Sequence, residues 1–158
     1  MAPQSSVPGK SLFGNILLTG LLAGFLDISA AILMYMIMSG GKAISVLLFV
    51  ASGVFGKAAF TGGVPMAIWG LIFHFIIAFS FTALFFLAYP LIPFLKKKIV
   101  AGLGYGIFVW TIMNLVVLPF TNIPQGPLEI MGVIRGIIIL MLAIGLPISW
   151  MAHRYYSE

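Results

Sequence analysis

AISVLLFVASGVFGKAAF, residues 43 to 60, is an apolar stretch with two glycines, Gly53 and Gly56, and a lysine, Lys57, toward its end. A helix rises about 1.5 Å per residue and the hydrocarbon core of a bilayer is about 30 Å thick, so a crossing takes about 20 residues. The stretch is marginal for that, and it suits a re-entrant or interfacial helix better. The choice decides the fold. If residues 43 to 60 turn back, four hydrophobic runs remain and both ends of the chain lie on one side of a membrane. If they cross, five spans separate the ends.

Working outward, "SGGK" at 39 to 42 and "TGGVP" at 61 to 65 turn the chain on either side of this stretch, with glycines able to take positive φ. The four full spans are expected at about 15–38, 66–94, 99–118 and 128–152. Pro90 and Pro93 in "YPLIPF" weaken the helix at the end of the second, and "KKK" at 96 to 98 follows at once. "PFTNIPQGP" at 119 to 127 is a turn-rich connector. Residues 1–11, rich in Pro and Ser, form a flexible tail, and "HRYYSE" closes the chain. Lys10 before an apolar run, with "ISA" at 28 to 30, superficially resembles a cleaved signal peptide. The run continues to Met38, too long for a removed segment.

Composition agrees with a single all-α membrane domain over 1–158. Of 158 residues, 62% are hydrophobic and 7% charged, with a mean hydropathy of +1.21, whereas soluble domains carry about 25% charged residues. The absence of cysteine excludes disulfides, thiolate metal sites and a CxxC redox centre. A net charge of +5 would suggest a nucleic-acid partner in a soluble protein. Here the basic residues flank hydrophobic runs and report topology instead. With four crossings, Lys10, the three lysines at 96 to 98 and Arg154 fall on one side, while Lys42 and Lys57 fall on the other, with Glu129 and Arg135 near its edge. The positive-inside rule then puts both termini in the cytoplasm. Trp150, Tyr155 and Tyr156 at one end and Trp69 at the other suit interfacial anchoring.

The first span, "GLLAGFLDISAAILMYMI" at 20 to 37, holds the one acidic residue well inside a span, Asp27. Helical steps of three and four from it reach Gly20, Ala23, Gly24, Ala30, Ala31 and Met34, nearly all small, whereas Leu18, Leu22, Phe25, Ile32, Leu33 and Met36 point elsewhere. Asp27 should face the bundle interior across a seam where another helix comes close. The same small-xxx-small spacing recurs as Gly102 and Gly106 in the third span and Gly132 and Gly136 in the fourth, which argues for tight packing. Setting each span's centre at the midplane leaves Asp27 near it and His74, Asn114 and Arg135 about 6 to 8 Å outward.

Charged groups at such depth are costly and normally paired. Arg135 is the natural partner of Asp27, and His74 could bridge them or carry a proton, since imidazole titrates near neutrality. The competing account is an interhelical clamp that fixes register and transports nothing. Asn114 suits an interhelical hydrogen bond, and Arg135 could instead pair with Glu129 at the rim. Ser52 and Lys57 belong to the 43–60 segment, which would cover the polar layer if it dipped inward, with Lys57 snorkelling to the headgroups.

The chemistry of common enzymes is absent. No HExxH, Walker or dinucleotide-binding pattern occurs, His74 and His153 belong to opposite halves of the bilayer, and Ser80 falls almost opposite His74 on its helix. No metal or cofactor is expected. "GLLAGFLD" has a loose echo in "GLGYGIFV" at 102 to 109, but the aspartate has no counterpart, so no inverted repeat is assigned.

Four stretches, "GLLAGFLDISAA" at 20 to 31, "VASGVFGKAAFTGG" at 50 to 63, "GLIFHF" at 70 to 75 and "GYGIFVWTIMNLVVLP" at 104 to 119, resemble the YagU-like inner membrane proteins of bacteria. The resemblance implies a multi-span protein of the bacterial inner membrane and brings no catalytic residues with it. The expectation is a four-helix membrane bundle with a re-entrant or interfacial helix between its first two spans. Its polar cluster would bind or transport a proton, a small anion or a lipid headgroup. A structural subunit packing against partner membrane helices, or against copies of itself, is the alternative, and an intramembrane enzyme the third.

Overall fold

The computed structural model describes residues 11–123 and 129–157. The expectations for the tail at 1–10, Lys10 included, for residues 124–127 of the connector and for residue 128, the expected start of the fourth span, fall outside them. Among the described residues there is no β-strand. Six α-helices follow in order: α1 Leu12–Ser39, α2 Ala43–Phe55, α3 Gly63–Ala88, α4 Lys98–Thr111, α5 Ile130–Leu140 and α6 Leu146–Ser157. A 3₁₀ turn, Gly56–Thr61, follows α2, and a π-helical turn, Ile112–Val117, extends α4. A second π turn, Met141–Gly145, joins α5 to α6. Counted as continuous runs, five helical stretches are long and apolar enough to cross a membrane: Leu12–Ser39, Ala43–Thr61, Gly63–Ala88, Lys98–Phe120 and Ile130–Ser157. Such a set fits a multi-pass membrane protein.

That count differs from the four expected, because the helical stretch after residue 42 runs to Thr61 and reaches 19 residues. It is not one uniform helix. Gly56 has φ 60° and ψ −147°, a combination essentially closed to residues with a β-carbon, and the regular α2 stops there after 13 residues. The other boundaries also shift. Ser11 caps α1 by accepting the Gly14 N–H on its hydroxyl, so the helix starts at Leu12. α3 begins at Gly63 and ends at Ala88, short of residue 94, because Pro90 cannot donate a backbone bond and Pro93 opens a separate 3₁₀ turn. The closing tail is helical through Ser157, held by Tyr155 and Tyr156 against Phe86 on α3.

Glycine contacts fix how the long helices pair. Phe79 occupies the space where Gly20 would carry a β-carbon, and Phe75 lies 2.8 Å from the corresponding point on Gly24. Numbers rise along α1 as they fall along α3, so these two helices are antiparallel. α4 meets the last run in the same way, with Lys98 bonded to Ser149, Gly102 against Gly145, Gly106 against Met141 and Trp110 against Gly136. Small residues let backbones approach in a medium where dispersion and polar bonds, not water exclusion, hold helices together. Hydroxyls add cross-links: Tyr105 donates to the Phe81 carbonyl at 2.6 Å and Tyr156 to that of Phe86 at 2.9 Å. The buried core between α1, α3, α4 and α6 includes Ala23, Phe85, Phe86, Tyr105 and Ile148. It occupies the end of the bundle opposite the α1–α2 turn. α2 lies against α3 beyond this core, with the Leu47 carbonyl pressed on Gly70 and Phe55 edge-on to Trp69.

Candidate functional site

On α1, Thr19, Gly20, Ala23, Gly24 and Ile28 are buried, while Leu18, Leu22, Phe25, Leu33 and Met36 are exposed. The half-buried Asp27 borders this inward stripe. It lines a cavity of about 110 Å³ together with His74 of α3, Val50 of α2, Val109 and Met113 of the α4 run, and Leu140 and Ile144 of the last run. Ile77, Ala78 and Phe81 complete the wall. Asp27 and His74 are the two ionisable groups in an otherwise apolar lining. At about 30 Å³ per water, the space suits about three to four waters or a comparably small solute.

His74 is held from one side. Its Nε2 lies 2.8 Å from the Gly24 carbonyl oxygen, which can only accept, so Nε2 carries the proton and donates. The neighbouring Phe75 packs edge-on against the imidazole. With Nε2 engaged, Nδ1 is the ring atom left to gain or lose a proton. Gly24, lacking a side chain, leaves room for Phe75 and Ala78 of α3 at this point, with His74 within reach of its carbonyl.

Of the five polar residues expected at the site, the cavity takes two. Asn114 donates to the Trp110 carbonyl of its own helix at 3.0 Å and is not on the cavity wall, although Met113 beside it is. Arg135 has no hydrogen-bond or ion-pair partner among the described residues, neither Asp27 nor Glu129. It precedes the wall residue Leu140 by five positions, about 7 Å along the helix and about 140° around it, which turns it off the cavity. Lys57 is exposed on the 3₁₀ turn after α2. Ser52 of α2 is buried and donates to the Phe49 carbonyl at 2.7 Å. Of the glycines expected to pack helices, Gly20, Gly24, Gly102, Gly106 and Gly136 stand in tight contacts, while Gly132 has only the Glu129 β-carbon, 3.9 Å from where its own would be.

Two features of the wall escape a reading by span and depth. Met113 lies in one π turn and Ile144 in the other, so both widened turns border the cavity. π turns concentrate at functional sites. Their signal in the sequence is proline. Pro147 has no N–H for the Ala143 carbonyl and its ring crowds that oxygen, and the Leu146 N–H just before it bonds back five residues to Met141. In the α4 run Leu118, immediately before Pro119, bonds back five residues to Met113.

No protein-family model matches the chain, nor does any curated protein or solved structure.

Proposed function

We propose that this chain is a small multi-pass membrane protein in which the Asp27–His74 cavity is a proton-binding site serving proton-linked transport. The observation that carries the proposal is the joint lining of one small apolar cavity by a carboxylate and an imidazole from two antiparallel helices. Ionisable groups within a span are costly to the fold and are kept mainly where they pair or act. A small anion fits less well, because Arg135 is turned off the cavity and a carboxylate lines it. A lipid headgroup is too large for about 110 Å³.

The same reading includes a topology. The antiparallel pairing of α1 and α3 favours Ser39 and Gly63 on one side of the membrane, with the stretch between them leaving and rejoining that side as a re-entrant element. Four crossings then put both termini on the other side. The lysines at 96 to 98 and Arg154 favour the cytoplasm for that side, and the resemblance to YagU-like proteins supports a bacterial inner membrane.

The test is infrared difference spectroscopy of the protein in lipid, titrated from about pH 4 to about pH 9, a range that covers ordinary carboxyl and imidazole groups. A carboxylic-acid carbonyl band should appear with acid, vanish in Asp27→Asn and change its midpoint in His74→Gln. A spectrum in which Asp27→Asn removes nothing ends the proposal.

One observation favours a second reading, a structural clamp: the 2.8 Å bond from His74 to Gly24 joins α3 to α1. On that account His74→Gln lowers stability by about 1 kcal/mol and leaves the Asp27 band where it was.

A further inference from the structure

At the end of the bundle away from the α1–α2 turn, a second cavity of about 350 Å³ is lined by Tyr89, Pro90, Lys96, His153, Tyr156 and Ser157. It has no part in the Asp27 site. Its walls come from the turn after α3 and from the last turns of α6, and they are braced. The rings of Tyr89 and Tyr156 stack at 4.9 Å and 8°, and the Tyr156 hydroxyl is tied to the Phe86 carbonyl. The Tyr89 hydroxyl and His153 Nδ1 share a hydrogen bond of 2.8 Å.

From this arrangement we infer a binding site for a phosphate group, supplied by the headgroup of an anionic phospholipid. When the Tyr89 hydroxyl donates to Nδ1, His153 Nε2 carries the proton. Its neighbour is Ser157 Oγ at 3.5 Å, a long contact that leaves the N–H able to turn to a stronger acceptor. Lys96 brings a cation to the same space, and no carboxylate lines it among the described residues. An ammonium, an imidazole N–H and a serine hydroxyl around one opening form the donor set that a phosphate's oxygens take.

Lys98, two positions beyond Lys96, is engaged elsewhere. Lys98 Nζ sits 4.0 Å over the Trp150 ring, and the Lys98 carbonyl accepts from Ser149. The lipid source follows from location. Exposed Leu91, Ile92 and Phe94 follow Tyr89 directly, so hydrocarbon borders the opening. Paired tyrosines with a cluster of lysines are what a membrane–water boundary gathers.

The experiment uses the full chain in neutral detergent, with bound lipid counted by native mass spectrometry and thermal midpoints recorded alongside. Phosphatidylglycerol should be retained and should raise the midpoint; phosphatidylcholine should do neither. Lys96→Gln should weaken phosphatidylglycerol binding about fivefold, Lys96→Arg should largely restore it, and Lys97→Gln, off the cavity wall, should change it little. His153→Gln should weaken it as well. Retention of inorganic phosphate alone, with the same dependence on Lys96, would keep the site and assign its ligand to soluble phosphate. Equal losses from Lys97→Gln and Lys96→Gln would mean diffuse attraction to a basic surface and overturn the site, as would phosphatidylglycerol binding that ignores Lys96. Lys96 is exposed and bears no core contact, so its variants fold whether or not His153→Gln does.

Discussion

A glycine's role in this protein depends on what stands opposite it. Gly104 and Gly106 are two residues apart on α4, yet a β-carbon on Gly106 would run into the Met141 backbone, while one on Gly104 would meet only Phe94, at 3.9 Å. Gly106→Ala should destabilise by about 1 to 3 kcal/mol, because a backbone cannot step aside as a side-chain tip can. Gly104→Ala should be neutral or stabilising by up to about 1 kcal/mol, since alanine is the better helix former. Thermal unfolding of the two variants in detergent checks both, and equal effects would contradict the packing described. This level of detail was half legible. Spacing identified Gly102 and Gly106 as a packing pair, as it identified the small face beside Asp27. Spacing alone could not tell Gly136, against Trp110, from Gly132, which is open. Depth along a helix also failed to bring Arg135 to Asp27, because direction around the axis decides contact and depth does not report it.

Among elements, the stretch after residue 42 is the informative one. Hydropathy and length rank Ala43–Thr61 with the other long runs, but Gly56 divides it into a 13-residue helix and a 3₁₀ turn. At about 1.5 Å per residue α2 covers about 20 Å, short of a hydrocarbon core. Gly56→Ala should cost about 1 to 3 kcal/mol, the range for a side chain forced into a glycine-only conformation. A straight helix through residue 56 would instead gain stability from the same change, so the sign of the shift in thermal midpoint distinguishes the two. The glycines and the short length were visible in the sequence and argued against a plain crossing, but they did not locate the break at Gly56. The widened turns were not inferred, because Pro119 and Pro147 look like a stop and a tolerated kink until the carbonyls they abandon are traced.

For the whole molecule, the antiparallel pairings set what is near what across the membrane. The chain has no cysteine, so single cysteines report sidedness without background. The proposed topology predicts that Lys42→Cys and Thr61→Cys react with a membrane-impermeant maleimide from one side, and Lys97→Cys and Ser157→Cys from the other. Labelling of Lys42→Cys and Thr61→Cys from opposite faces would mean that the stretch between them crosses. Charge distribution and span count gave this arrangement its outline; the pairing of α1 with α3 supplies an argument from contacts, independent of charge.

The π turn at Met141–Gly145 is flanked by anchored helix. Gly136 sits against Trp110 before it and Ser149 is bonded to Lys98 after it. A π turn holds about one residue more than an α turn, which makes it the shape a helix adopts when its length changes but its ends cannot rotate. The run can therefore carry this extra residue as a local bulge while its two anchored ends keep their register against α4.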